Sequence, residues 1–162
     1  TDYPRYTVGQ VMLETADRLV SIENEPALPQ FQLLAGALNA LVGGTSDGPR
    51  PATMVMDSYL LRAVATAGFA PSLDACASCG EVGPHEAFSP ASGGLVCPRC
   101  RPPGTPQVRP ATLALLSALI SGDWPATRAA DEPTQRQASG LIAAFVAWHL
   151  ERGLRTMQHV AR

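Results

Sequence analysis

The chain has 162 residues, 46% apolar and 16% charged, which fits one domain of ordinary size with a real core and excludes disorder as the default state. The formal net charge of −2 gives no overall footprint for nucleic acid. The apolar runs are too short to span a bilayer and no signal-peptide pattern is present.

Charge is unevenly spread: residues 1–75 carry four arginines against eight acids, and residues 76–162 carry eight arginines against six acids. Lysine is absent, so every fixed cation is a guanidinium, the group best suited to bidentate contacts with phosphate or carboxylate. Aromatics are only 6% of the chain and alanine is abundant, which favours close-packed helices. The chain starts at Thr1 and not at Met, and the expectation is a piece of a longer protein.

Taken in order, the first amphipathic segment starts at Thr7, where Thr7 and Gln10 read as a capping-box pair, and carries Val8, Val11, Met12, Thr15, Leu19 and Ile22 at helical spacing. Glu23 to Pro29 breaks it. A second helix places Phe31, Leu34, Ala35, Leu38, Leu41 and Val42 on one stripe and stops at Gly43-Gly44. The segment from Gly43 to Pro51 is a loop. The third helix runs from about Ala52 to Ala67, with Met56, Tyr59, Leu60, Ala63, Val64 and Ala67 inward, and ends at Gly68.

Within 76–100, Glu86–Ser89 and Leu95-Val96 flank Pro90–Gly94 and read as a short hairpin. Arg101 to Pro110 holds four prolines in ten residues and is irregular, with Pro110 in a first-turn position. Leu113, Leu116, Leu119 and Ile120 form a short fourth helix closed by Gly122. A last helix begins near Pro133 or Thr134 and buries Leu141, Phe145 and Trp148, with His149 and Arg152 at its edge. Gly153 weakens it, and the tail after it fits either a continuation or a docked strand.

All four cysteines fall in this central window as C-x2-C-x17-C-x2-C: Cys76, Cys79, Cys97 and Cys100. Zinc takes four thiolates at tetrahedral corners about 2.3 Å away, and a C-x2-C turn brings two sulfurs to one point. A hairpin inside the spacer brings the second turn back to the first, and Gly80 follows the first pair where a knuckle favours positive φ. Two disulfides need an oxidising compartment. A redox pair needs a reactive C-x-x-C at a helix start, and nothing in the spacing speaks for an iron–sulfur cluster. The pattern therefore points to structural Zn2+ with no open position for chemistry. His85, between the pairs, reads as an exposed loop histidine.

No phosphate-binding glycine loop, dinucleotide fingerprint or H-E-x-x-H is present. Asp57, Asp74, Glu81, Glu86, Asp123 and Glu151 are scattered and His149 reads as a satisfied edge residue, so no catalytic residues are assigned and the chain reads as a binding module. The fold expected is mainly α: a bundle-like helical domain over 1–75 and 101–162, with a four-cysteine zinc-ribbon or knuckle hairpin inserted at 76–100.

The order of these features resembles the C-terminal region of the RecO family of bacterial recombination mediators. The resemblance is carried by GFAPSL (Gly68–Leu73) leading into C-x2-C, by FSPASGGLVCPRC (Phe88–Cys100), by the Pro-rich connector, by Gly-Asp-Trp (Gly122–Trp124) and by LERGLRT (Leu150–Thr156). It covers nearly the whole chain.

What the resemblance implies is a DNA-repair role without catalysis. Such proteins bind single- and double-stranded DNA through an N-terminal OB-fold, which is missing here, and anneal strands. They also bind the acidic, hydrophobic C-terminal tail of single-stranded-DNA-binding protein and work with RecR in loading RecA, in the cytoplasm at the nucleoid.

Arg99, Arg101 and Arg109 near the second knuckle, and Arg152, Arg155 and Arg162 toward the C-terminus, are the candidate DNA or partner contacts. Arg18 and Arg62 on helices are alternatives. An unrelated zinc-ribbon adaptor or transcription-type regulator is the competing reading, and a thiol redox enzyme ranks last.

Overall fold

The structure, a computed structural model, describes residues 3–23 and 28–160, with side chains described over 4–19 and 28–152. Five helices and one hairpin follow in the order α1 (Tyr3–Glu23), α2 (Leu28–Gly43), α3 (Ala52–Thr66), β1 (Ala87–Ser89), β2 (Gly94–Val96), α4 (Pro110–Ser121) and α5 (Glu132–Val160). A 3-10 helix over Pro125–Ala129 precedes α5. The chain is mainly helical, with a small antiparallel hairpin beside four clustered cysteines. Among the described residues no helix is long and apolar enough to cross a membrane.

The organising element is α3, which touches α1, α2, α4 and α5. The expected single inward stripe understates it. Every residue from Asp57 to Leu61 is buried, as are Met54, Val55, Ala63 and Val64, while Met56 and Ala67 are only half-buried. A helix buried over most of its length finds partners for its polar groups on neighbouring elements. Ser58 donates to the Leu119 carbonyl of α4 at 2.7 Å, Ser139 of α5 donates to Asp57, and Gln30 of α2 donates to the Ala63 carbonyl at 2.8 Å.

Four expectations are corrected. First, α1 is already helical at Tyr3, so Thr7 and Gln10 lie inside it and not at its start; its buried side chains Val8, Met12, Thr15 and Leu19 keep the expected spacing. Second, α2 begins at Leu28, with Pro29 in its first turn, where its missing N–H costs nothing; residues 24–27 of the expected break lie outside the described residues. Its buried positions are Gln30 and Leu41, whereas Phe31 and Val42 are 67% and 80% exposed, so the helix is rotated from the expected face.

Third, the stretch between the fourth and last helices, to which the sequence reading assigned no element, holds a 3-10 helix after Trp124. Fourth, Trp148 is 42% exposed, and Ala138, Leu141, Ile142, Phe145, Val146 and Leu150 form the inner face of α5. The backbone of α5 continues through Gly153 to Val160, which settles the tail as helix and not strand.

Other boundaries follow their local signals. Gly44 takes φ 86° after α2, and Gly122 caps α4 in the left-handed conformation at φ 73°. Pro110 opens α4 at its first turn. The hairpin pairs Ala87 with Val96, Phe88 with Leu95 and Ser89 with Gly94.

Alternation along a strand sends neighbours to opposite faces. Phe88 and Leu95 therefore enter the helical core, while Ala87 and Val96 bury against Cys76 and Cys97 on the other face. Both edges of the hairpin are occupied: Leu95 N–H donates to the Ser72 carbonyl and Val108 N–H to the Glu86 carbonyl, at 2.9 and 2.6 Å.

Candidate functional site

The four cysteines converge. Their sulfurs all lie within 4.8 Å of one another, and Cys79 and Cys97 sulfurs are 3.8 Å apart. All four are free thiols, since a disulfide needs sulfurs about 2.05 Å apart. A tetrahedron with metal–sulfur bonds of about 2.3 Å has edges of about 3.8 Å, so the spacing is compatible with a structural zinc ion.

Each knuckle is a local hydrogen-bonded turn. Cys76 N–H donates to the Glu81 carbonyl and Gly80 N–H to the Cys76 carbonyl, both at 2.9 Å. Gly80 adopts φ 79°, as the C-x2-C-G order required. Cys100 N–H donates to the Cys97 carbonyl at 3.1 Å, and Ala77 N–H to the Leu95 carbonyl at 2.7 Å ties the first knuckle to β2.

The thiols conflict electrostatically when no cation separates them. Backbone amides of Cys79 and Cys97 pull the Cys76 thiol down to about 6. Cys100, hydrogen-bonded to the Cys97 sulfur first and the Cys79 sulfur second, is pushed up to about 12. Like charges at one point cannot all form unaided, and a divalent cation removes that conflict. His85 stands outside this group and is half-buried, not exposed, with Nε2 2.8 Å from the Glu81 carbonyl.

The candidate arginines are placed separately. Arg99 reaches Glu81 at 3.4 Å with a side chain 76% exposed, and Glu81 together with the Cys97 sulfur raises its pKa further. Arg101 donates to the Thr105 carbonyl at 2.9 Å, and Arg109 to the Thr134 hydroxyl at 3.3 Å. Arg152 is exposed on α5 and engaged in an interaction of its own. The Arg155 side chain and Arg162 lie outside the described residues, and Arg18 is exposed on α1.

His149 is half-buried between two rings, with centroids 4.3 Å from Phe145 and 5.4 Å from Phe69. Burial depresses its pKa, a hydrogen bond to the Pro90 carbonyl opposes that shift, and Arg152 reinforces it.

A second feature was not legible in the sequence. Between α2 and α3 lies a cleft of about 170 Å3, walled by Leu33, Ala37 and Ala40 on one side and Val55, Tyr59 and Arg62 on the other, with Trp124 also lining it. The Tyr59 hydroxyl is buried without a hydrogen-bond partner. Among the described residues Arg62 has no ion-pair or hydrogen-bond partner either. The signal existed only as Arg62 falling three residues after Tyr59 on one helix, and it needs α2 and Trp124 to acquire meaning.

Comparison with known proteins gives the kinship. The family described as "Recombination protein O C terminal" matches residues 1–158. The chain is 53% identical over 161 residues to the DNA repair protein RecO of Cutibacterium acnes, covering 99% of this chain and 65% of that protein. To the DNA repair protein RecO of Thermobifida fusca it is 51% identical over 162 residues, covering 100% of this chain and 65% of that one. For the Streptomyces coelicolor protein of the same name the figures are 48% identity, 100% and 64%. The chain thus spans just under two thirds of the length of these relatives. By the family match over residues 1–158 and by these identities, the chain belongs to the RecO family.

Proposed function

We propose that this chain is the helical, zinc-stapled region of a non-enzymatic recombination mediator acting in bacterial DNA repair. In this reading 76–100 is a structural insertion whose four thiolates, Cys76, Cys79, Cys97 and Cys100, hold Zn2+. The segments 1–75 and 101–162 are the two parts of one helical domain. The whole protein works in the cytoplasm at the nucleoid, annealing DNA strands and loading RecA together with RecR. DNA contact rests mainly with an OB-fold, and Arg99, Arg101, Arg109, Arg152 and Arg155 give auxiliary contacts. Family membership disfavours an unrelated zinc-ribbon adaptor.

One observation carries the partner assignment: an apolar cleft between α2 and α3 with an unpaired guanidinium, that of Arg62, on its wall. An apolar cavity of about 150 Å3 holds a benzene ring, so about 170 Å3 accepts one aromatic side chain. A carboxylate beside that ring would complete Arg62 with charge-assisted hydrogen bonds. The occupant is a peptide tail that is acidic and ends in an apolar or aromatic residue, the chemistry of the C-terminal tail of single-stranded-DNA-binding protein.

Titration of this chain with a fluorescent peptide carrying aspartates and a C-terminal phenylalanine tests the reading. Binding should weaken with salt and fall about tenfold or more in Arg62→Ala. Absence of binding at low salt, or an Arg62→Ala chain that binds as tightly as the parent, counts against it.

A further inference from the structure

Trp124 closes the Gly-Asp-Trp segment that follows α4, and its position is set from outside the cleft. Its carbonyl accepts from Arg50 Nη2 at 3.0 Å, from the Thr127 hydroxyl at 2.7 Å and from Thr127 N–H at 3.0 Å. Arg50 Nε also donates to the Thr127 hydroxyl at 2.9 Å, so one guanidinium holds both ends of the turn. Arg50 is itself fixed, because its Nη2 meets Asp47 at 2.5 Å and both side chains are only 13% exposed. Arg128, from the 3-10 helix, grips Asp47 from the other side through both carboxylate oxygens.

Asp47 is thus flanked by two guanidiniums, with Arg128 and then Arg50 holding its pKa down at about 2. The cluster joins the α2–α3 loop to the 3-10 helix, and among the described residues its hydrogen bonds reach the cleft lining at the Trp124 carbonyl. On the cleft side, Gly122 leaves room for Arg62: a β-carbon there would stand 3.4 Å from the Arg62 Nη1. The Gly-Asp-Trp segment therefore borders both polar and aromatic elements of the cleft.

We propose that Asp47, Arg50 and Arg128 form a positioning cluster that sets Trp124 as a wall of the α2–α3 cleft and so fixes which aromatic tail it accepts. This rests on the cleft being the seat of an acidic, aromatic-ended peptide, as proposed above. A fork-shaped guanidinium with several acceptors fixes a carbonyl in direction as well as distance, and a surface ammonium lacks that geometry. The cluster acts through Trp124 and has no contact of its own with the peptide.

The test uses the full chain in a Trp148→Phe background, so that fluorescence reports Trp124 alone. Arg50→Met, which keeps length and loses every donor, should shift Trp124 emission to longer wavelength. It should also weaken the aspartate-rich, phenylalanine-ended peptide by about fivefold or more, with Arg50→Lys recovering part of both effects. Asp47→Asn should give a smaller change of the same sign, and it serves alone if Arg50→Met does not fold.

Unchanged Trp124 emission in both variants overturns the positioning cluster. An emission shift with unchanged peptide affinity overturns its control of the cleft. If the parent chain binds no peptide, the cleft assignment fails, and the emission of Arg50→Met then decides the positioning of Trp124 by itself.

Discussion

Phe88 of the hairpin meets Phe145 of α5 edge to face, with ring centroids 6.1 Å apart and planes at 60°. Both rings are essentially fully buried, so this contact helps fasten the hairpin beside the cysteines to the helical body. Phe88→Ala should cost about 3–5 kcal/mol in chemical denaturation and speed amide exchange across 87–96. A cost below about 1 kcal/mol would mean that the hairpin is held by other means.

The sulfur cluster has little apolar burial of its own, since its small core consists of Cys76, Ala87, Val96 and Cys97 with Cys100 alongside. A metal bound there would supply folding energy. Metal analysis should give one zinc per chain. Chelation or Cys97→Ser should lower the melting temperature by on the order of 10 °C. A metal-free chain that melts as the loaded one does refutes the structural role.

Asp57 is buried in the middle of α3, and burial pushes its pKa up from 3.8 to about 6, with the Ser139 hydroxyl partly opposing the rise. A raised folded-state pKa gives stability that is fully present below about 4 and lost as pH climbs through about 6. At pH 7.5 the buried charged carboxylate is therefore a cost of about 2–3 kcal/mol. Asp57→Asn should recover most of it at pH 7.5 and nothing at pH 4. Equal gains at both pH values would show that Asp57 is not the titrating group.

Gly94 sits at φ 138°, and a β-carbon there would fall on the backbone of Ser72. That approach makes the hydrogen bonds from Leu95 N–H to the Ser72 carbonyl and from Ser72 N–H to the Gly93 carbonyl, both 2.9 Å. Gly94→Ala should therefore cost about 2 kcal/mol or more, whereas Gly48→Ala meets no atom within 4 Å and should cost only its backbone strain. Comparable melting temperatures for the two variants would contradict the crowding at Gly94.

The parts visible in the sequence were those fixed by local chemistry. The paired C-x2-C turns, Gly80, the hairpin, Pro110 and Gly122 each carry their cause within a few residues. Faces of helices were less visible, because α2 is apolar nearly all round: Leu28, Phe31, Leu33, Leu34, Leu38, Leu41 and Val42 offer more than one stripe of the right period. Gln30 points inward because its amide finds the Ala63 carbonyl, a partner 33 residues away that no period reveals.

Trp148 went to the wrong side for a related reason, since 141, 145 and 148 satisfy the helical period as well as the observed set does. The α2–α3 cleft is made by three separated segments and has no motif. The kinship itself was readable, because it rests on ordered short motifs and not on helix faces.

The hairpin's three-residue strands present one face to oil and the other to sulfur. A single deletion in the four residues between Ser89 and Gly94 would do more than tighten a loop. A pairing slipped by one would set Phe88 opposite Val96 in place of Leu95, so the two strands would no longer send Phe88 and Leu95 together into the helical core. The length of this tip thus sets which side chains the two strands offer together to each face.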